Sequence, residues 1–485
     1  MCGIIALLRG PGARVDRDPA DVLDPLSAVQ RALDTLDPVA AAEVAAGLLE
    51  ELDGLLQAPN GVALLVRDRE VATRTAAVGA AVYDWIGALE AQLDATGAPL
   101  GHTLEDANSA LLRLKDALWA VVRDRLPTAA GVRELVGPEP SWSAIEVGTS
   151  IQQALSALDR LEVRGRDSAG LTVLVRDHEL DLADPAVARL VAARADDHLF
   201  RSKAVRTPEG HLSFVYKAAA EIGELGDNTA VIRADLLADD LLLLALAGDR
   251  ASALVLGHTR WASIGIISQP NAHPVDSLEV EGESGPYVTA ALNGDVDNFA
   301  DLKAAGGLRL AAEITTDAKV IPTLVSHRLA AGADLTTAFR DTVASFEGSV
   351  AIAASAAPHP DHLLLALRGS GQALYVGLAD GCYVVASEPY GLVELTSRYL
   401  RLDGDTPANP ENPNASRGQI VVLDGSRAGT LEGIVRQAYD GTVLPITESE
   451  ARKTTPIAPR PSSARIWYRP IVWHCMADSK FSALR

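Results

Sequence analysis

Cysteine occurs only three times in the 485 residues, and the first directly follows the initiator methionine, in the stretch MCGIIALL. Removal of Met1 would leave Cys2 with a free α-amino group beside its thiol. An α-amine titrates at ~7.7–8.0 and a free thiol at ~8.5, so one residue would supply both a base and a nucleophile near neutral pH. The apolar run at 4–8 predicts a short buried strand. The pattern indicates a cysteine nucleophile at the head of a strand.

A second concentration of reactive residue types lies in LGHTRWASIGIISQPNAHPVDS, residues 256–277. This stretch contains two histidines, Arg260 and Trp261, and it follows a strand-like apolar run. Irregular segments at strand ends that collect such residues more often form sites than cores. We therefore expect a binding or catalytic loop here.

Two further motifs each leave a structural and a functional interpretation open. In AALNGDVDNF (290–299), Asn293 and Gly294 end an apolar run, and Asn-Gly most often marks a plain turn. In ITTDAKVIPTLVSHRL (314–329), Asp317 heads a predicted helix, where an aspartate is most often an N-cap. Spacing alone favours the structural interpretation of both motifs.

The elements that must position these residues change along the chain. Residues 10–148 are rich in Ala and Leu and predict a helical insertion without chemistry of its own. A further helix, TSIQQALSALDRL, is predicted to begin at Thr149 or Ser150 and to stop at Gly165. Residues 179–212 have the composition of a second, polar insertion. The amphipathic stretches inside the first insertion are 20–36, 39–57, 76–95 and 103–125.

Short apolar runs of strand type dominate the rest of the chain, separated by a few turn residues. Such spacing predicts antiparallel hairpins, and near-continuous apolar strands predict two sheets with helices outside them. The predicted strands are 169–176, 253–258, 287–292, 348–355, 362–369, 373–380, 382–387 and 419–424.

Composition limits the function classes. The chain is 48% hydrophobic but only 4% aromatic, so its cores must be aliphatic. A formal net charge of −21 opposes nucleic acid and anionic membranes as partners. Few cysteines, and no basic segment before the first apolar run, favour a cytoplasmic protein over a secreted one.

Five motifs in order carry a family resemblance: MCGI, LEVRGRDSAG (161–170), HTRWASIG with NAHPV, LNG and TDAKVI. They resemble MCGI, LEYRGYDSAG, HTRWATHG with NAHPH, HNG and TDTEVI of the glutaminase domain of glutamine–fructose-6-phosphate aminotransferases. These are class II glutamine amidotransferases of the N-terminal-nucleophile hydrolase superfamily. The resemblance covers residues 2–9, about 149–178 and about 213–445. It implies a four-layer αββα fold with a helical insertion, and an amidotransferase domain over 1–9 and 149–445.

The resemblance also implies roles for single residues. Cys2 would attack the side-chain amide of glutamine to give a γ-glutamyl thioester and ammonia, with no metal or organic cofactor. The Asn293 side chain and the Gly294 N–H would form the oxyanion hole. Arg260 would bind the substrate carboxylate and Asp317 its ammonium group.

Other residues of the motifs have less direct implied roles. Trp261 and Ser263 would line the glutamine pocket. His273 would also line it, or else be a structural loop histidine; the sequence leaves both open. Arg164 and Asp167 would order the loop beside Cys2.

Three departures from the family pattern stand out. Ile264 replaces a frequent histidine, Leu292 replaces the histidine before Asn-Gly, and residues 10–148 follow the nucleophile strand directly. None removes the nucleophile, the oxyanion hole or the carboxylate clamp. They leave open a glutamine-binding regulatory module without turnover, and an amidotransferase that serves another acceptor.

The end of the chain differs from the rest. The resemblance fades near 441–460, where the family continues into two sugar-isomerase domains, and residues 446–485 predict a linker and a non-native tail. The last 25 residues hold two of six Trp and one of two Met, which is unlike the preceding sequence. Glucosamine 6-phosphate synthesis would then need a separate partner that accepts ammonia.

Overall fold

The computed structural model describes residues 2–12, 14–97, 99, 101–219, 224–280, 285–369, 371–405 and 417–453. The predicted tail after residue 453 lies outside these ranges. Within them, no helix combines the length and the apolar character needed to cross a membrane.

Two antiparallel sheets form the centre of the described structure. One has nine strands in the order β15-β12-β10-β11-β1-β5-β2-β4-β3, and the other has six in the order β14-β13-β9-β8-β7-β6. All nine predicted strands, the run at 4–8 included, are confirmed. The strands are β1 Gly3–Arg9, β2 Ser168–Arg176, β3 Val205–Arg206, β4 Leu212–Ala218, β5 Ser252–Arg260, β6 Val275–Asp276, β7 Val288–Gly294, β8 Val350–Ala356, β9 His359–Arg368, β10 Tyr375–Ala379, β11 Cys382–Ala386, β12 Arg398–Arg401, β13 Gly418–Asp424, β14 Ile434–Gln437 and β15 Arg452–Lys453.

Helices cover both outer faces of the sheet pair. The helices are α1 Ala20–Thr35, α2 Pro38–Gln57, α3 Pro59–Arg67, α4 Arg69–Thr96, α5 Leu104–Trp119, α6 Leu126–Val136, α7 Trp142–Leu161, α8 Pro185–Ala195, α9 Asp227–Leu237, α10 Asp240–Leu246, α11 Phe299–Ala305, α12 Val320–Ala330 and α13 Leu335–Ala344. A π-helical segment, Ala120–Arg125, joins α5 to α6. Helix α7 packs on the nine-stranded sheet, and α12 and α13 pack on the six-stranded one. The expected αββα sandwich is confirmed.

The core follows from the alternation of side chains along each strand. In β1, Ile4, Ala6 and Leu8 face the second sheet, whereas Ile5 and Leu7 face α7. An apolar run is therefore needed in a central strand, because both of its faces are covered.

The predicted start of α7 is wrong. The helix begins at Trp142, where the Ser141 side chain accepts a hydrogen bond from the Ala144 N–H at 3.1 Å. Fifteen of its twenty residues are buried, between the nine-stranded sheet on one side and α3 and α6 on the other. The helix therefore begins at the Ser141 cap, about two turns before the predicted cap at Thr149 or Ser150.

Helices α1–α6, together called the helical block, have a separate hydrophobic core. Its buried residues are almost all aliphatic, and Ile145 of α7 joins them. All four predicted amphipathic stretches fall within helical segments here. Whether the block is an insertion relative to the family, and likewise 179–212, stays a prediction.

Candidate active site

Strand alternation turns the key side chains toward the same space between the sheets. Cys2 lies an even number of residues from Ile4 and Ala6, and Arg260 lies an even number from Leu254 and Leu256 in β5, so each points to the same face of its strand as those residues. These four apolar residues face the six-stranded sheet. In β7, Asn293 points to the same face as Ala291, two residues before it, and Ala291 faces the nine-stranded sheet. The pairing of Gly3 with Thr259 brings the start of β1 to the end of β5. The nucleophile candidate and its predicted partners therefore converge.

Cys2 contacts both sheets. Its backbone N–H donates to Oδ1 of Asn293 at 3.2 Å, across 291 positions of sequence. The Trp261 N–H donates to its Sγ at 3.3 Å. Burial raises the pKa of the Cys2 thiol, while the hydrogen bond from Trp261 and the nearby Arg260 charge act in the opposite direction. The thiol therefore needs a base in order to act as a nucleophile near neutral pH.

Gly294 adopts a backbone conformation that side chains rarely allow. Its φ is +117°, and an added Cβ would lie 2.0 Å from the carbonyl oxygen of Ser349. The Asn-Gly pair is thus the end of β7, paired with β8, and not a two-residue hairpin turn. This removes the plain-turn interpretation.

Arg260 is almost completely buried and holds its own loop. Its guanidinium donates to the carbonyl oxygens of Ile264 and of Ile266, the latter at 3.1 Å. Asp167 accepts from the Ala262 N–H at 2.8 Å and so contacts the loop after Trp261. Gly165 is needed for this approach, because a Cβ there would lie 2.6 Å from the Arg260 backbone. Arg164 instead donates to the Tyr390 hydroxyl at 3.1 Å and pairs with Glu388 at 3.0 Å.

Asp317 lies at the start of the turn that leads into α12, as predicted. Its carboxylate does not cap that helix by a side-chain bond; its Oδ2 accepts instead from the Val296 N–H at 2.8 Å. Burial raises the pKa of Asp317 to about 6, and the Asp295 carboxylate adds to that effect. Asp317 is thus tied to the segment that follows the Asn-Gly pair.

Ser263 and Trp261 lie on the exposed side of the site. The Trp261 side chain is 58% exposed, next to the Cys2 thiol. The Ser263 hydroxyl donates to Oδ1 of Asp295 at 2.5 Å. Both residues therefore lie where a ligand entering from solvent could meet them.

His273 is a structural histidine in this geometry. It is 3% exposed, with Nδ1 3.2 Å from the Leu292 carbonyl oxygen and Nε2 2.9 Å from Thr316 Oγ1. His258 Nε2 lies 2.8 Å from the same carbonyl oxygen, and burial lowers the pKa of His258 to about 3. Of the two alternatives for His273, the structure favours the loop histidine, because neither ring nitrogen is left for a ligand. The histidine pair positions the backbone that carries Asn293.

Asn293 also borders a cavity of about 850 Å³. This cavity lies against the ends of β9, β11 and β12. Its polar lining includes Gln372, Glu388, Arg401 and Asp403. The described residues contain no cluster of three or more His, Cys, Asp or Glu side chains suited to a metal.

Sequence reasoning missed two residues that organise the site. Asn271, in the NAHP motif, accepts from the N–H groups of Thr315 and Thr316 at 2.7 and 2.9 Å and so joins that motif to the Asp317 turn. Asp295 binds Ser263, as described above. Both stand inside quoted motifs, but only their long-range partners show what they do.

Comparison with known proteins supports a class II glutamine amidotransferase domain in this chain. The similar sequences are glutamine–fructose-6-phosphate aminotransferases. That of Acidithiobacillus ferridurans is 30% identical over 259 residues, 53% of this chain and 33% of the relative. That of Pseudomonas putida is 30% identical over 252 residues, which are 51% of this chain and 31% of the relative. That of Neisseria meningitidis serogroup A is 36% identical over 153 residues, which are 31% of this chain and 24% of the relative. The matched part of the chain thus spans a third or less of these relatives' length.

No protein-family model matches the chain. Among solved structures, glutamine phosphoribosylpyrophosphate amidotransferase from B. subtilis covers 61% of this chain and 48% of its own, at 15% identity and a TM-score of 0.36. The match with an allosteric regulatory enzyme of purine biosynthesis covers 60% of this chain and 46% of that enzyme's chain, at 16% identity and a TM-score of 0.36. Because these scores are below 0.5, the class assignment relies on the sequence similarity.

Proposed function

We propose that this protein hydrolyses L-glutamine to glutamate and ammonia through a thioester on Cys2. The observation that carries the proposal is the meeting of Cys2 with Asn293 at 3.2 Å and with the Trp261 N–H at 3.3 Å. The contact with Asn293 joins β1 of the nine-stranded sheet to β7 of the six-stranded sheet, and the contact with Trp261 joins β1 to the end of β5. They assemble a thiol and an amide at one point between the layers.

The chemistry needs the α-amino group of Cys2 after Met1 has been removed. That amine would take the thiol proton as Sγ bonds to the side-chain amide carbon of glutamine. The proton then passes to the leaving nitrogen, the C–N bond breaks and ammonia departs. Water adds to the thioester carbon and releases glutamate and the free thiol.

Asn293 is suited to assist both steps. Its Oδ1 already accepts from the Cys2 nitrogen, which would orient the amine beside the thiol. Its NH₂ group is then left as a donor toward the oxyanion, together with the Gly294 N–H. Removal of one such donor typically costs about 10²–10³-fold in rate.

Substrate binding would use Arg260, Asp317, Trp261 and Ser263. The Arg260 guanidinium has five N–H donors, and two of them are occupied by its loop carbonyls. Three N–H donors therefore remain, which is enough for a bidentate carboxylate while the carbonyls of Ile264 and Ile266 stay bound.

The ammonia acceptor is the finer part of the proposal. We propose that residues 1–9 and 149–445 form a glutaminase half and that a sugar-isomerase partner accepts its ammonia for glucosamine 6-phosphate synthesis. Similarity to glutamine–fructose-6-phosphate aminotransferases supports the amidotransferase part of this proposal. The cavity bordered by Asn293 would give ammonia a route away from Cys2. We further propose a cytoplasmic protein.

Glutamate release from L-glutamine tests the proposal. We expect activity in the purified protein with Met1 removed, and a loss of at least about 10³-fold in Cys2→Ala. Cys382→Ala is the matched control: its thiol is buried in β11, and we expect its rate to be unchanged. N-terminal mass must be recorded for every variant.

Absence of glutamate release from folded, Met1-free protein would refute the proposal. Retained glutamine binding without ammonia would then identify the regulatory binding module. If ammonia is released but does not reach fructose 6-phosphate in the presence of an isomerase partner, another acceptor is served.

A further inference from the structure

Ser387 directly follows β11 and bonds to the strand that carries Cys2. Its side-chain oxygen accepts from the Ile4 N–H at 3.0 Å, and its own N–H donates to the Ile4 carbonyl oxygen at 3.1 Å. Ile4 is fully buried and lies two residues after Cys2. The proposed reaction gives this serine no role.

The hydroxyl replaces a backbone acceptor that the chain after β11 no longer provides. The register of β1 with β11 ends at Ile5 and Ala386, and in a regular antiparallel ladder the next pair, Ile4 and Ser387, would exchange two backbone bonds. Only one of them forms between backbone atoms, since the chain turns into the 3₁₀ segment Pro389–Gly391. The Ser387 Oγ accepts the other bond. Without that oxygen, the buried Ile4 N–H would lose its acceptor.

Ser387 lies on the same side of the nine-stranded sheet as the Cys2 thiol. Val385, two residues before Ser387, faces the six-stranded sheet, as does Ile4, two residues after Cys2. Because side chains alternate along a strand, Ser387 and Cys2 both point into the space between the sheets. Ser387 is 2% exposed and borders the same cavity as Asn293. The serine therefore shares this space with the nucleophile and its amide partner.

The segment after Ser387 is held by the RGRDSAG motif. Arg164 pairs with Glu388 at 3.0 Å and donates to the Tyr390 hydroxyl at 3.1 Å. These two contacts fix the chain on both sides of Pro389, directly after the serine. Ser387 is thus a link between that motif and the start of β1.

We propose that Ser387 is a positioning residue that fixes the start of β1, so that the nitrogen and the thiol of Cys2 stay aligned with Asn293 and with the Trp261 N–H. The inference deepens the proposed glutaminase function and rests on it. Ser387 acts through the backbone of β1, two residues from contacts of 3.2 Å and 3.3 Å that the reaction needs. A displacement of about 1 Å in such a site can cost about 10²-fold in rate.

Ser387→Ala removes the acceptor and tests this role. We expect kcat for glutamate release to fall by about 10- to 100-fold, because Cys2 loses its alignment. KM for glutamine should stay within about 2-fold of the parent, because substrate binding is assigned to Arg260 and Asp317. Ser387→Thr keeps the hydroxyl and should return kcat to within about 5-fold of the parent.

Ser355→Ala is the matched control for loss of a buried hydroxyl. Ser355 is 3% exposed in β8, and its hydroxyl bonds to the Thr289 hydroxyl at 2.8 Å. This variant should lower Tm but keep kcat within about 2-fold of the parent at a temperature where it is folded. If Ser387→Ala does not fold, Ser387→Cys replaces it: a thiol is a weaker acceptor, so kcat should fall while KM stays unchanged.

Parental kcat in folded Ser387→Ala, or equal losses of kcat in Ser387→Ala and Ser355→Ala, would refute the positioning role while the glutaminase stands. In either case the serine would only stabilise the fold.

Alkylation of Cys2 by iodoacetamide separates the two proposals, because it needs no turnover. The thiolate is the reactive form, so loss of alignment with the α-amine should slow alkylation at pH 7 by about 3-fold or more in Ser387→Ala and not in Ser355→Ala. The mass of the N-terminal peptide reports the reaction at Cys2 alone. If the parent releases no glutamate but only Ser387→Ala is alkylated more slowly, the glutaminase is refuted and the positioning of the thiol stands. Equal alkylation rates in the parent and Ser387→Ala would refute the positioning role.

Discussion

The helical block and the two-sheet sandwich use the same aliphatic residues but bury different kinds of group. The core of the block consists mainly of Val, Leu, Ile and Ala side chains, such as Leu114 and Val78, and Arg125, which is also buried there, is paired with Asp53 at 2.7 Å. Between the sheets, Arg260, His258 and Asp317 are almost completely buried near Cys2. Burial of such groups is unfavourable unless each is paired or neutral. The block is therefore built for stability, whereas the sandwich gives up stability to hold polar groups.

The pKa values show the same difference. Burial lowers the pKa of His258 to about 3 and raises that of Asp317 to about 6, so burial shifts each of them toward its neutral form. Perturbed groups that converge in one place are typical of functional sites. Changes in the sandwich should therefore alter activity, and changes in the block should alter only stability.

Gly294→Ala should have the largest effect, because it lowers both the rate of glutamate release and the free energy of unfolding. The new Cβ would lie 2.0 Å from the Ser349 oxygen at a φ of +117°, so β7 and β8 must separate at the proposed oxyanion hole. We expect glutamate release to fall by about 10²–10³-fold and unfolding free energy by about 2–4 kcal/mol. Assays and urea denaturation measure the two losses.

Gly307→Ala is the control for backbone conformation alone. Its φ is +60°, but nothing lies within 4 Å of an added Cβ. We expect a cost of about 1 kcal/mol and unchanged activity. Parental activity in Gly294→Ala would contradict the oxyanion role.

Leu114→Ala, in the helical block, should lower stability without lowering activity. Leu114 is fully buried in the core of the block, so its truncation should cost about 2–5 kcal/mol in unfolding free energy. At a temperature where the variant stays folded, kcat for glutamine should equal that of the parent. Leu112→Ala, in the same helix but 49% exposed, should cost less than about 0.5 kcal/mol. A lower kcat in folded Leu114→Ala would show that the block acts on the site.

The pH dependence should separate activity from stability at Asp317. Its pKa is raised to about 6 in the folded protein, above its ordinary value of ~3.9. Because the folded state favours the protonated form, the contribution of this group to stability is largest below pH ~4, and about 3 kcal/mol is lost as pH rises from ~4 through 6. Ammonium binding needs the charged form, so KM for glutamine should rise as pH falls below 6.

Asp317→Asn tests both parts of this prediction. Thermal unfolding and KM are measured between pH 5 and pH 8 beside the parent. The variant should lose the pH dependence of both, with a KM that is high throughout. An unchanged KM profile would exclude Asp317 from substrate binding.

Much of the fold could be predicted from the sequence. All nine apolar runs proposed as strands, including the one at 4–8, are strands, since continuous apolar segments buried on both faces have a local signature. The strands that were not predicted are β3, β4, β6, β12, β14 and β15. Three of them, β3, β6 and β15, have only two residues each and so have little local signature. The predicted start of α7 was wrong because Ser141, Thr149 and Ser150 are all suitable N-cap types, and only the structure shows that Ser141 accepts the bond from a backbone N–H.

For the site, the sequence by itself determined the residue types and their order: a cysteine behind Met1, an arginine at the end of β5, Asn-Gly at the end of β7 and an aspartate before α12. Only the tertiary structure decided which of them meet. It brought Asn293 to Cys2, placed His273 behind the strand and turned Asp295 toward Ser263. The physical reason is that side-chain alternation assigns a residue to a face of its own strand, whereas the packing of two sheets against each other decides what that face meets.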